Sequence, residues 1–237
     1  ASALGLHRMF VLEKEFDAVW LMDDDGYPAE DALLILEQAI QPGVACASSV
    51  VMQENCPDHF VFPFPVLDPL GLPVILAWQR KLPTLAALQS HSKEETFPFA
   101  HLFNGALIAS TAIRQIGNVN PEFFIYGDEV DYFFRLRQAG AVISVFAAKH
   151  FHPDVSSRPY SSVKIYYYIR NSLILNSYYF NRVAIRQCMT LVSVLSRTAR
   201  RNGTREALSY LVGKRFPILL QAVRAGLIGR LGRNFHG

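Results

Sequence analysis

The stretch that decides the fold is FDAVWLMDDDGYP, residues 16–28. Six of its first seven residues are apolar and the run is rich in β-formers, which predicts a buried strand, and three carboxylates follow directly. A helical pattern comes after Pro28, with apolar residues at positions 32, 33, 36, 39 and 40. The stretch therefore predicts a strand, an acidic loop and a helix.

Predicted strands and helices continue to alternate along the first two thirds of the chain. Apolar runs predict strands at Val44–Val51, Asn104–Ser110 and Ala141–Ala148, and a helix at Gly127–Ala139 is closed by Gly140. Between residues 57 and 83 six prolines predict a long loop, of a length that is usually functional. Strands that alternate with helices predict an α/β sheet.

The chain changes character near residue 157. From Tyr160 onward the pattern is helical, with breaks near Asn202-Gly203 and at Pro217. Residues 1–157 carry nine basic and 19 acidic residues, whereas residues 158–237 carry 14 basic residues and one acidic residue. We therefore expect two domains, 1–157 and 158–237, with a metal site in the acidic one and an anionic surface as partner of the basic one.

Composition narrows the class of protein further. The 237 residues are 51% hydrophobic, which predicts a globular chain with one sizeable core. No apolar run of about 18 residues and no signal-peptide pattern is present. Three widely spaced cysteines predict neither a disulfide framework nor a zinc site, so we expect a cytoplasmic protein.

The acidic triplet Asp23-Asp24-Asp25 follows the first strand, at the end of a sheet where α/β proteins bind ligands. Adjacent carboxylates repel one another unless a cation or hydrogen-bond donors lie among them, and oxygen ligands suit Mg²⁺ or Mn²⁺ bound to a diphosphate. A solvated acidic turn is the alternative explanation. The position at a strand end favours the metal site.

The run WLMDDDGYP, residues 20–28, resembles the metal-binding Asp-x-Asp segment of family 2 glycosyltransferases with the GT-A fold, especially galactofuranosyltransferase-like members. Rhamnosyltransferase-like members more often carry another residue in the middle of the triplet. The resemblance implies a Rossmann-like mixed sheet followed by a helical region. It also implies that Asp24 contacts the donor ribose or diphosphate, while Asp25 and, less firmly, Asp23 hold the metal.

A second acidic cluster lies in FFIYGDEVDYFFRLRQAG, residues 123–140. Carboxylates in a first helical turn are also explained by the helix macrodipole. The resemblance implies that Glu129 is the general base, with Asp128 as the other candidate, and that Asp131 orients the acceptor or caps the turn. Tyr126 and Trp78 are further acceptor-binding candidates.

His150 and His152 follow the last predicted strand, and we expect only one of them to face the crevice. The resemblance favours His152 as a further metal ligand. The segment YYYIRN, residues 166–171, is similar to the YY-x-x-RN segment of the same family. Arg158 and Arg170 are candidates for donor phosphate contacts, because guanidinium groups match phosphate oxygens.

The resemblance begins at about residue 5, and family members open with a βαβ unit that binds the nucleotide. We therefore expect the chain to lack that unit, with Gly5, His7 and Arg8 left from a donor-binding loop. Arg8 is the donor-binding candidate among them.

The implied function is that of an inverting glycosyltransferase dependent on Mn²⁺ or Mg²⁺. It would transfer galactofuranose or rhamnose from a UDP- or dTDP-linked donor to a glycan or lipid-linked acceptor in cell-surface polysaccharide synthesis. We expect no nucleic acid partner, and a location in the cytoplasm or on the inner face of the plasma membrane. The alternatives are a nucleotidyltransferase and an inactive fragment that binds glycan or membrane.

Overall fold

The computed structural model describes residues 16–155 and 158–235. The candidate Arg8 and the neighbouring Gly5 and His7 lie outside these ranges. Contacts divide the chain into two compact units, Ala1–Val119 with Tyr132–Ser156, and Asn120–Asp131 with Ser157–Gly237. The second acidic cluster and the segment before it thus group with the C-terminal helices, which the sequence-based boundary near residue 157 did not anticipate.

A mixed sheet of eight strands forms the first unit within the described residues. The strands are β1 (Ala18–Leu21), β2 (Tyr27–Pro28), β3 (Val44–Gln53), β4 (Cys56–Pro65), β5 (Lys81–Thr84), β6 (Thr96–Phe97), β7 (Ala106–Ala109) and β8 (Ala141–His152). Neighbouring strands follow the order β1, β7, β3, β4, β5, while β8 pairs in parallel with β3 and carries the short β2 and β6.

Helices cover both faces of the sheet. They are α1 (Ala32–Ala39), α2 (Leu85–His91), α3 (Ser110–Ile116) and α4 (Asp128–Ala139). Leu36 of α1 packs with Ala47 and Ala148, whereas Leu136 of α4 packs with Cys46 and other sheet residues. Strand β3 is buried at eight consecutive positions, as expected when both faces are covered. The predicted α/β class is confirmed.

The predicted loop between residues 57 and 83 is wrong in part, because β4 and β5 lie there and pair with each other. Phe60 and Phe64 point into the core from β4. Pro63 lies where the register of β4 against β5 shifts, between His59 and Phe64, and proline within a sheet is usually found at such irregularities.

The second unit contains four helices after residue 160, α5 (Ser162–Tyr179), α6 (Val183–Asn202), α7 (Thr204–Val212) and α8 (Phe216–Leu227). The break predicted near Gly203 is confirmed, and Pro217 lies in the first turn of α8. Gly226 lets α8 approach α5 closely, since a Cβ there would lie 2.8 Å from Cβ of Leu173. None of the described helices combines the length and apolarity needed to cross a bilayer.

Candidate metal and carboxylate sites

The acidic loop is fixed at both ends by strand pairing. Before the loop, β1 pairs with β7, and after it, Tyr27 and Pro28 pair with Phe151 and His150 of β8. Inside the loop, the amide of Asp24 donates to Oδ1 of Asp23. The loop therefore lies against the end of β8, the strand that carries both histidines.

Asp23, Asp25 and His152 come together at this point. One potential ligand atom from each lies within 4.8 Å of the others, and Nε2 of His152 is 2.8 Å from Oδ1 of Asp25. The His152 side chain is 3% exposed and that of Asp25 is 34% exposed. These three residues, predicted to be metal ligands, are thus close enough to share one ion.

The tautomer of His152 follows from its second contact. Its Nδ1 lies 2.7 Å from the carbonyl oxygen of Pro153, which can only accept, so Nδ1 donates its proton there. Nε2 then faces Asp25, and its lone pair would bind the ion in a metal complex, as in metal-binding histidines oriented by a carbonyl. Either a proton on Nε2 or a metal ion bound to both side chains supplies the positive charge that this contact requires. Two carboxylates and one imidazole fit Mn²⁺ or Mg²⁺.

His150 is buried beside the same loop, so the expectation that only one histidine faces it is wrong. Residues two apart on a strand share a face, and His150 and His152 are both buried. A Cβ built on Gly26 would lie 2.4 Å from Nε2 of His150. Burial, followed by the charge of His152, lowers the pKa of His150 to about 4.

The second acidic cluster begins α4 and is shaped by an unusual loop. Ile125 and Gly127 both have positive φ, 71° and 91°, and a Cβ on Gly127 would lie 2.9 Å from Cδ1 of Leu175. Asp128 and Glu129 are half-buried in the first turn of the helix. Burial raises the pKa of Asp128, and the charge of Asp131 adds to this effect.

Arg170 and Asn171 of α5 hold this loop. The amide nitrogen of Asn171 donates to the carbonyls of Tyr126 and Phe124, and Nε of Arg170 donates to Oδ1 of Asn171 at 2.7 Å. The guanidinium group of Arg170 also donates to main-chain oxygens and is fully buried. The prediction that Arg170 contacts donor phosphates receives no support from this geometry.

Tyr179 holds the buried carboxylate of Asp131, to which its hydroxyl donates at 2.6 Å. Asn171, Leu175 and Tyr179 are spaced by four residues and form one stripe of α5. The sequence did not predict this stripe, although the Arg170-Asn171 pair at the end of the segment YYYIRN was a signal for it. Asp131 was predicted to orient the acceptor or to cap the turn. In the structure its Oδ1 accepts the hydrogen bond of Tyr179.

The other predicted residues differ in their exposure. Trp78 is fully exposed, Asp24 is exposed at the tip of the acidic loop, and Arg158 is exposed near the start of the second unit. Tyr126 is half-buried against the ring of Tyr168, and burial raises its pKa to about 12. Each of these side chains keeps its predicted role as a prediction.

Comparison with known proteins shows two galactofuranosyltransferases among the similar sequences, while no family model matches the chain. The galactofuranosyltransferase GlfT1 of Mycolicibacterium smegmatis is 31% identical over 157 residues, and that of Mycobacterium tuberculosis is 32% identical over 158 residues. These matches cover 65% of this chain and 49% and 48% of the relatives. The chain therefore spans about half the length of the curated relatives it matches.

Among solved structures, GalNAc-T7 with UDP, GalNAc and Mn²⁺ is similar in fold. Its TM-score is 0.50 at 11% sequence identity, over 93% of this chain and 44% of the other. The chain therefore has the fold of a GT-A glycosyltransferase. The sequence is similar to galactofuranosyltransferases over 65% of the chain, in line with the resemblance of the acidic triplet and its flanking residues.

Proposed function

We propose that this chain carries the metal-binding and catalytic part of an inverting galactofuranosyltransferase that uses a UDP-linked donor. The observation that carries the proposal is the group of Asp23, Asp25 and His152 at the carboxyl end of β1. The similarity to GlfT1 supports the choice of galactofuranose. UDP is preferred to dTDP because the structure of similar fold contains UDP.

Asp23, Asp25 and His152 would hold the divalent cation. When bound, the cation would neutralise charge on the departing nucleoside diphosphate. The exposed carboxylate of Asp24, at the tip of the loop, would accept hydrogen bonds from the donor ribose. The hydrogen bond from His152 to the main chain orients the ring before the cation binds.

Glu129 would act as the general base and take the proton of the attacking acceptor hydroxyl. The hydrogen bonds of Asn171 fix the loop just before α4, which limits the freedom of the first helical turn. Asp128 is the other candidate, because its raised pKa brings it closer to neutral pH. The acceptor would be a glycan or a lipid-linked glycan, with Trp78 available to stack on a sugar ring.

The basic second unit would bind the anionic cytoplasmic face of the plasma membrane, where a lipid-linked acceptor would be available. Four apolar side chains at the turn from α7 to α8 are exposed, and Lys214 lies among them. They are Leu208, Leu211, Val212 and Phe216. Apolar side chains beside basic ones are typical of surfaces that bind anionic lipid.

A transfer assay tests the proposal. Purified protein is incubated with UDP-galactofuranose, MnCl₂ and a galactan oligosaccharide, and the mass of the product is measured by mass spectrometry. The expected product is heavier by one hexose and disappears in the presence of EDTA. Transfer that is unaffected by EDTA would contradict the metal site, and a nucleotidylated product would contradict the reaction class.

A further inference from the structure

His150 is a buried histidine whose ring has no evident structural partner. Its exposure is 0%, and neither ring nitrogen has a hydrogen-bond partner among the described residues. The ring lies between two glycines. A Cβ on Gly26 would lie 2.4 Å from Nε2, and a Cβ on Gly105 would lie 3.2 Å from Nδ1.

Packing alone does not explain a polar ring at this position. A buried polar group without a partner destabilises the folded state, whereas a phenyl ring would fill similar space without that cost. The hydroxyl of Ser49 is also buried and unpartnered, and it lies 3.1 Å from the Cβ position of Gly105. Two unpartnered polar side chains, one on β3 and one on β8, therefore lie beside Gly105.

The position of the ring connects it to the metal ligands. Gly26 follows Asp25 directly, and the next two residues pair with β8 at Phe151 and His150. The ring of His150 thus sets how close the end of the acidic loop can come to β8. Because His152 lies on the same strand, that spacing also sets where Asp25 lies relative to its imidazole.

We propose that His150 is a positioning residue of the metal site. Its ring packs against Gly26 and donates a hydrogen bond to the acidic loop when a divalent cation is bound. The inference rests on the proposed metal site. His150 is not itself a metal ligand in this arrangement. Its positioning role explains why the ring packed against the loop is polar, with two unpartnered nitrogens. Residues that orient metal ligands typically change metal affinity about 10–100-fold when they are replaced.

The test is His150→Phe, measured by titration of the purified chain with MnCl₂ and detection of free Mn²⁺ by electron paramagnetic resonance. We expect the affinity for Mn²⁺ to fall about 10–100-fold, whereas the melting temperature stays the same or rises because two unpartnered nitrogens are removed. His150→Gln should restore part of the affinity, because it retains a donor. His91→Phe, at an exposed position of the same unit, is the control and should change neither quantity.

An unchanged Mn²⁺ affinity in His150→Phe, together with a loss in Asp25→Ala, would overturn this inference and leave the metal site standing. An unchanged affinity in both variants would overturn the metal site itself. If His150→Phe does not fold, Gly26→Ala replaces it, since the new methyl group would push the loop away from the ring. Wild-type affinity in Gly26→Ala would then contradict the inference.

Discussion

Nε2 of His152 lies 2.8 Å from Oδ1 of Asp25, although 127 residues separate them along the chain. Nδ1 donates to the carbonyl oxygen of Pro153, which directs Nε2 at the carboxylate of Asp25. This relationship is the strongest indication that the two side chains share a cation. The affinity of Asp25 and His152 for a divalent cation can therefore be measured directly.

Asp25→Ala should weaken Mn²⁺ binding at least about tenfold, because it removes a charged ligand from a site with three protein ligands. Calorimetric titration with MnCl₂ in the presence of UDP measures the change. Asp58→Asn, which removes an exposed carboxylate from β4, is the matched control. Equal affinities in Asp25→Ala and wild type would show that the ion binds elsewhere.

Tyr179→Phe should lower the free energy of unfolding by about 1.5–3 kcal/mol, the usual contribution of a hydrogen bond to a charged group. It removes the hydrogen bond that the hydroxyl donates to buried Asp131 and leaves the ring in place. Urea denaturation followed by circular dichroism measures the change. Tyr178→Phe, next to it and 59% exposed, should have little effect. Similar losses in the two variants would contradict a specific role of Tyr179.

Asp128→Asn should stabilise the protein at neutral pH and lose this advantage in acid. The folded-state pKa of Asp128 is raised above its ordinary value of 3.8, mainly by burial, so folding favours the protonated form. Its stabilising contribution is present below the ordinary pKa and is lost as pH rises through the folded pKa. Asparagine carries no charge and avoids that loss. Melting temperatures of variant and wild type between pH 3 and pH 8 should therefore diverge as pH rises, and a constant difference would be inconsistent with this cause.

Glu129→Gln should lower the turnover rate about 10²–10⁴-fold while the KM for the donor changes little, because only proton transfer in the transition state is lost. The transfer assay with UDP-galactofuranose gives both constants. Asp128→Asn is the comparison at the neighbouring carboxylate. If Asp128→Asn abolishes turnover and Glu129→Gln retains it, Asp128 is the base.

The second unit should bind vesicles of phosphatidylglycerol at low salt and release them at high salt, because Debye screening weakens attraction between basic side chains and lipid phosphates. Flotation measures bound protein, with phosphatidylcholine vesicles as control. Val212→Glu, at a residue 86% exposed, should reduce binding. Binding that is equal for both lipids and insensitive to salt would exclude the electrostatic model.

The local pattern of the sequence was sufficient to predict the elements that carry the site. The apolar run before Asp23 predicted β1, and the spacing after Pro28 predicted α1, because periodicity reports which side of an element is buried. It was less informative between residues 57 and 83. There the prolines predicted a loop, and only pairing with a partner strand could show that β4 tolerates them.

Tertiary structure alone decided which distant side chains meet. Pairing of β2 with β8 brings Asp25 to His152, and packing within the second unit brings Asn171 to Tyr126, 45 residues earlier in the chain. Family resemblance favoured His152, and the match of guanidinium groups to phosphate oxygens made Arg170 a candidate phosphate ligand. Burial and hydrogen bonding give Arg170 a structural role. The spacing of apolar residues shows which side of each element is buried. It does not show which other element packs against that side. Partner identity depends on strand register and helix packing, which involve residues far apart in the chain.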